Sequence, residues 1–289
     1  MRVSVRCFGY PLPWYRPVAV AAERLGFDGV WIPDHAVAMT ATDSAYPYSA
    51  TGKPSFQPDT PFADPFTMLG HLAAVTERVR LGVGVFVLPL RHPLLAARAA
   101  MSVQELSGGR LVLGVGVGWL AAEFAALDAA FANRGGRMEE QLAIMRAAWR
   151  GEPTRHDGRW YRFDELIIAP PVSTPIPVLI GGASAPALER AVRIGDGWYA
   201  PPGPLDKTEA SIREVSDRLA RHGRDRASFQ IVVRAPEAAP ADAIPILADL
   251  GVDETVVNLP RNVAHPDEIV AWLERLAAAL GRGGAHPAA

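Results

Sequence analysis

The chain has 289 residues, 49% hydrophobic and 21% charged, enough for two ordinary domains or one large α/β barrel. Its 29 basic and 31 acidic residues give a formal net charge of −2, which excludes the basic footprint of a nucleic-acid binder or polybasic membrane protein and points to a small-molecule partner. Cys7 is the single cysteine, so an internal disulfide and a cysteine-based metal cluster are excluded; with no apolar run of signal-peptide or membrane-spanning length, the expected setting is soluble and cytoplasmic.

In chain order, short β-branched runs alternate with longer segments of helical period, the pattern of a parallel sheet with crossover helices. Strands are expected at 2–9, 29–34, 79–88, 111–118, 177–182, 197–201, 229–236 and 254–260. Helices are expected between them, among them 17–26, 92–107, 184–195, 206–223 and 267–281, several ending in a glycine suited to the C-terminal cap. Eight such units predict one closed (β/α)8 TIM barrel over residues 1–283, with 284–289 as a flexible tail. Two insertions break the rhythm. Residues 36–64, after the second strand, are far longer than an ordinary connection, and Tyr46, Tyr48, Phe56 and Phe62 suit them to pack over the barrel mouth as a lid. Residues 152–176, before the fifth barrel strand, read as a small hairpin that serves dimerisation or covers a barrel end.

In a barrel of this kind chemistry sits at the C-terminal ends of the strands. The second strand ends on Asp34 and His35. An imidazole there can pass a proton near neutral pH with the acid orienting it or a ligand; the alternative is a histidine that merely caps a strand end. The third and fourth strands, "LGVGVFVLP" and "LGVGVGW", are rich in glycine, which weakens strands; either a flat group lies against Gly84 and Val85, or the barrel interior is tightly packed. The second run only mimics a dinucleotide fingerprint, because its G-x-G-x-G spacing is not G-x-G-x-x-G. In "PVLIGGAS", Gly181, Gly182, Ala183 and Ser184 lead into a helix, forming either a phosphate cradle or a tight turn with a serine cap. Arg91 and His92 read as helix-start residues within reach of the mouth. The histidines show no metal-ligand spacing, and no nucleophile elbow or P-loop occurs.

Together, "AERLGFDGVWIPDH", "VRLGVGVFVLPLRHP", "LSGGRLVLGVGVGWLAAEF", "RGGRMEE" and "PVLIGGAS" followed by "RIGDGW" resemble the luciferase-like monooxygenase superfamily, in particular its actinobacterial members dependent on the deazaflavin coenzyme F420. The likeness runs in order from about residue 1 to 200; residues 201–289 match only in architecture. The resemblance implies a homodimeric TIM barrel with F420, or alternatively FMN, at the C-terminal mouth. It implies that Asp34 and His35 lie near the cofactor ring, that Gly84 and Val85 form a non-proline cis peptide behind it, and that Val87, Val117 and Gly118 make further cofactor contacts. Gly181, Gly182, Ala183 and Ser184 match a phosphate-binding turn. One departure stands out: where the deazaflavin sugar-phosphate dehydrogenases of this superfamily carry a glutamate after the fourth-strand G-x-G, this chain has Trp119. A proton donor is thereby replaced by an apolar wall, which shifts the expected substrate to an apolar or aromatic molecule under Trp119, Tyr46 and Tyr48 and leaves His35 as the candidate catalytic acid. The expected activity is hydride transfer to or from that substrate; the alternatives are an oxygen-dependent FMN monooxygenase and a flavin-binding barrel without turnover. Arg91 and Lys53 are the basic groups considered for the acidic tail of the deazaflavin.

Overall fold

The structure is a computed structural model that describes residues 1–41, 44–49, 51–237 and 239–282. The expected tail at 284–289 falls outside these residues. Eight parallel strands close into a barrel: β1 (Arg2–Arg6), β2 (Gly29–Ile32), β3 (Arg80–Val87), β4 (Leu111–Gly116), β7 (Val178–Gly181), β8 (Gly197–Ala200), β9 (Gln230–Arg234) and β10 (Glu254–Asn258). β5 (Thr154–Asp157) and β6 (Arg162–Leu166) form a separate antiparallel hairpin where the second insertion was expected. Around the barrel, β1 pairs with β2 and β10, β3 joins β2 to β4, and β4 pairs directly with β7, so the hairpin is an excursion outside the sheet.

The helices follow their apolar spacing. In α7 (Leu205–Arg221) the buried residues Thr208, Ile212, Val215 and Leu219 recur every three or four positions, while its charged residues face outward. α6 (Ala185–Ile194) buries Ala187, Leu188, Ala191 and Val192 on one stripe. α2 (Pro65–Ala73) starts where the Asp64 side chain accepts from the Thr67 amide at 2.9 Å, which ends the long insertion after β2. Two apolar layers result: a large one between sheet and helices, and a small one inside the barrel formed by Trp31, Val112, Leu179, Tyr199, Val232 and Val256. Trp31 fits because its neighbour on β3 is Gly82, where a Cβ would lie 2.2 Å from the indole.

The strands stop earlier than their apolar composition suggests. β2 ends at Ile32 and β4 at Gly116, so Asp34, His35, Val117, Gly118 and Trp119 stand on the loops just beyond the strand ends. Those loops are where a TIM barrel builds its sites. No helix among the described residues is long and apolar enough to cross a membrane.

Candidate active site

A cavity of about 430 Å³ occupies the C-terminal mouth. Among its walls are His35, Gly84, Val85, Val87, Val117, Gly118, Trp119, Gly181, Gly182, Ser184, Tyr46 and Tyr48, so most of the residues nominated from the sequence meet in one place. Phe56 and Phe62 of the insertion pack on Phe8 with ring centroids 6.3 and 5.2 Å away, Tyr46 lies 5.2 Å from Trp119, and Arg261 holds the Ser55 carbonyl. The described part of the insertion is thus seated on the barrel mouth by aromatic contacts, as its composition predicted.

The Gly84–Val85 peptide is cis, as the resemblance implied, and β3 slips register between Val83 and Phe86 at the same place. The Val85 side chain then fills space that only glycines leave open: a Cβ at Gly116 would lie 2.6 Å from it, and one at Gly181 2.8 Å. Gly84 itself lies under Tyr199, where a Cβ would come within 2.5 Å of the phenol ring. Between the two explanations for the glycine runs, interior packing therefore accounts for Gly82, Gly84, Gly116 and Gly181, and in doing so it places Gly84 and Val85 in the cavity wall.

Asp34 also borders the cavity, but both its oxygens are committed. Arg91 grips them bidentately at 2.6 and 2.7 Å, and the Val87 amide donates at 2.8 Å. This half-buried pair ties the ends of β2 and β3 together, and the Arg91 guanidinium stacks 4.5 Å over Phe86. Arg91 is thereby removed as a partner for a ligand's acidic tail, and Lys53 is exposed outside the cavity lining. His92 caps α3 (Pro93–Leu106), accepting weakly from the Leu94 amide at 3.3 Å, as a helix-start residue should.

His35 is not a bare strand cap. Its Nδ1 lies 2.9 Å from Oε2 of Glu123, a residue only 1% exposed on α4 (Ala121–Ala126). Oε1 of Glu123 also accepts from the amides of Ala36 and Val37 at 2.6 and 3.3 Å. Burial pushes the Glu123 carboxyl up, but the His35 hydrogen bond, the His35 charge and the two amides outweigh it and leave the group below its ordinary range. An ionised Glu123 makes Nδ1 the ring's donor nitrogen, and Nε2 is the one that Glu123 does not engage. Phe56, Phe62 and Trp119 pack around the ring with centroids at 5.0, 5.4 and 6.1 Å. The idea that the fourth-strand end offers only an apolar wall is therefore corrected: Trp119 is that wall, but four residues later the chain returns a carboxylate to the same site. The "AAEF" stretch carried the signal, since Glu123 lies one helical turn past Trp119.

At the β7 turn, Gly182 has φ +109° and its carbonyl accepts from Trp198 Nε1 at 2.7 Å. Ser184 is the N-cap residue before α6, yet its side chain makes no capping bond, which leaves the hydroxyl free. Ala183 itself does not line the cavity. Three arginines and a tyrosine in the lining escaped the sequence reading: Arg6, Arg134, Arg234 and Tyr199. Arg134 lies within "RGGRMEE", donates from Nε to the Gly118 carbonyl at 3.1 Å and stacks 3.8 Å over Phe131. No cluster of metal-ligating side chains occurs among the described residues.

A parallel (β/α)8 barrel with a mouth cavity, an oriented histidine and a glycine turn leading into a helix has the makings of a small-molecule site. The profile of the luciferase-like monooxygenases matches residues 15–244, and the chain belongs to that family. The match extends past residue 200, where the sequence resemblance had thinned to architecture. Among its relatives is an uncharacterized protein of Mycobacterium tuberculosis, 34% identical over 245 residues covering 85% of this chain and 84% of the relative. An F420-dependent glucose-6-phosphate dehydrogenase of Nakamurella multipartita is 32% identical over 213 residues, 72% of this chain but 58% of that enzyme. In fold, the chain is similar to a monooxygenase of Streptomyces bottropensis, with a TM-score of 0.80 at 19% identity over 97% of this chain and 98% of the other. It is also similar to the coenzyme F420-dependent tetrahydromethanopterin reductase of Methanopyrus kandleri, with a TM-score of 0.73 at 15% identity over 95% and 98%.

Proposed function

We propose that the protein is an F420-dependent oxidoreductase that exchanges hydride with a small organic substrate bound under the lid. The observation that carries this reading is His35, held by Glu123 behind it, in the wall of the cavity that Gly84 and Val85 also line. Relatives named as F420-dependent dehydrogenases support the choice of cofactor. The residues present fit such a group: Gly84, Val85, Val87, Val117 and Gly118 would contact the ring, and Gly181, Gly182, Ala183 and Ser184 would hold a phosphate. Arg134, at the cavity edge beside Gly118, would face the acidic tail that distinguishes F420 from FMN. When bound, the deazaflavin supplies a two-electron hydride carrier.

The chain's own work is positional and acid-base. Trp119 and Tyr46, with the phenylalanines of the insertion, exclude water from the cavity and confine the substrate's apolar body. Asp34 acts through Arg91 and the Val87 amide, holding the β2 and β3 ends that frame the ring seat. His35 accepts a proton at Nε2 as the neutral ring and returns it as the imidazolium, which Glu123 stabilises across 2.9 Å.

Titration with F420 and with FMN, each oxidised and reduced, followed by tryptophan fluorescence and cofactor absorbance, tests the reading. Saturable binding of F420 in preference to FMN is expected. Preference for FMN redirects the site to oxygen chemistry, and binding of neither leaves a barrel without this cofactor. Replacing the proton carrier, as His35→Asn, is expected to lower turnover by about 100-fold or more with cofactor affinity retained. Unchanged turnover would remove the proton role.

A further inference from the structure

The deep side of the cavity carries an arrangement that hydride transfer by itself does not use. Arg6 ends β1 in register with Asn258 of β10, and Arg234 ends β9 in register with Val256 of the same strand. Both guanidinium groups line the cavity. The Nε of each is buried without a hydrogen-bond partner, and so is the hydroxyl of Tyr199. Arg234 donates to the neutral Asn258 side chain at 3.1 Å, and Arg6 lies 4.4 Å over the Phe8 ring. The nearby carboxylate, Glu237, is engaged by Asn258 at 3.2 Å and by Arg261 at 3.7 Å; among the described residues neither Arg6 nor Arg234 has a carboxylate partner.

Among the described residues, two positive groups are thus held together without a counter-charge. Burial first, and then the charge of Arg234, push the Arg6 guanidinium down to about 9, still protonated at neutral pH. Buried cations are ordinarily paired, so an unpaired set facing a cavity marks a place for an anion.

We propose that Arg6, Arg234 and Tyr199 form a carboxylate subsite, and that the substrate is an aromatic or apolar carboxylic acid. The proposal deepens the hydride-transfer reading, on which it rests, by naming the charged end of the substrate. Two guanidinium-bearing residues in the cavity wall, with three buried donors beside it that lack protein partners, suit the two oxygens of a carboxylate. Phosphate chemistry already has its own turn at β7, separated from Arg234 on β9 by the whole of β8. The subsite is continuous with the reaction centre in two ways. Tyr199 packs against Gly84 in the ring seat, and the aromatic wall runs from Phe8, stacked on Arg6, through Phe56 and Phe62 to His35. An acid anchored at the arginines would lay its apolar body along that wall toward Nε2.

The test compares phenylacetate, its neutral isostere phenylacetamide, and benzylphosphonate by calorimetric titration, on the protein alone and on the protein saturated with F420. Phenylacetate is expected to bind about tenfold or more tighter than the amide, and Arg6→Met or Arg234→Met to remove that preference while F420 affinity changes little. Equal binding of acid and amide overturns the subsite, and tighter binding of benzylphosphonate overturns the carboxylate. Loss of F420 affinity in step with phenylacetate would assign the arginines to the cofactor instead. The wild-type comparison needs no variant to fold. If F420 fails to bind, the cofactor reading falls, while acid against amide on the protein alone still decides this site.

Discussion

At the N-terminal end of the barrel, Glu254 is fully buried and saturated: Oε1 accepts from Ser4 and Trp31 at 2.7 Å each, and Oε2 from Arg2 at 3.3 Å and from Arg80. Arg80 is satisfied in turn by Gln230 at 3.0 Å. At the C-terminal end, Arg6 and Arg234 hold the same chemical group beside the same barrel interior, and among the described residues no acid meets them. The difference teaches how one fold separates stability from binding. Charges paired inside the chain lock strands together, whereas charges paired only by a ligand are a cost the fold carries until the ligand arrives.

The sharpest way to break that comparison is Glu254→Ala. It strands Arg80, whose guanidinium burial already lowers and Glu254 props up, together with the Trp31 and Ser4 donors. A loss of about 3–5 kcal/mol in urea unfolding is expected. A loss under about 1 kcal/mol would mean that the lower network is as dispensable as a surface ion pair.

Glu123→Gln separates the paired histidine at the mouth from the unpaired arginines. Because the Glu123 carboxyl lies below its ordinary range, its contribution is present above the unfolded value and is lost as pH falls through the folded one. At pH 7 the variant is expected to be less stable by about 1–2 kcal/mol, and the gap should close as the pH is lowered beyond the ordinary carboxylate range. A gap independent of pH would show that shape, not charge, matters at this position.

The barrel was legible because each strand is a short β-branched run and each helix repeats its apolar residues at helical spacing, both local patterns. His35, Gly84, Val85 and the β7 turn were legible because the fold makes strand ends functional and because the motifs around them resemble known ones. The partners were not. Glu123 reaches His35 across 88 residues, and Arg91 reaches Asp34 across 57, distances that only the closed sheet brings together. Arg6 and Arg234 were missed for a different reason. At the ends of apolar strands, single arginines look like the ordinary charged flank of a buried segment, and only barrel closure shows that both turn to one cavity.

The smallest expected effect is the most discriminating. Replacing an ordinary half-buried arginine loses methylene packing and hydrogen bonds and lowers stability. Arg234→Met keeps most of the packing, forfeits the bond to Asn258, and removes a positive charge that disfavours the buried Arg6 guanidinium. These terms nearly cancel, so the variant is expected to melt within about 2 °C of the wild type or slightly above it. Added phenylacetate should then reverse the order, raising the melting temperature of the wild type but not of the variant, because a ligand stabilises only the state that binds it. If Arg234→Met instead destabilises the fold as much as Glu254→Ala, the two ends of the barrel are not different in kind, and the mouth arginines belong to the scaffold.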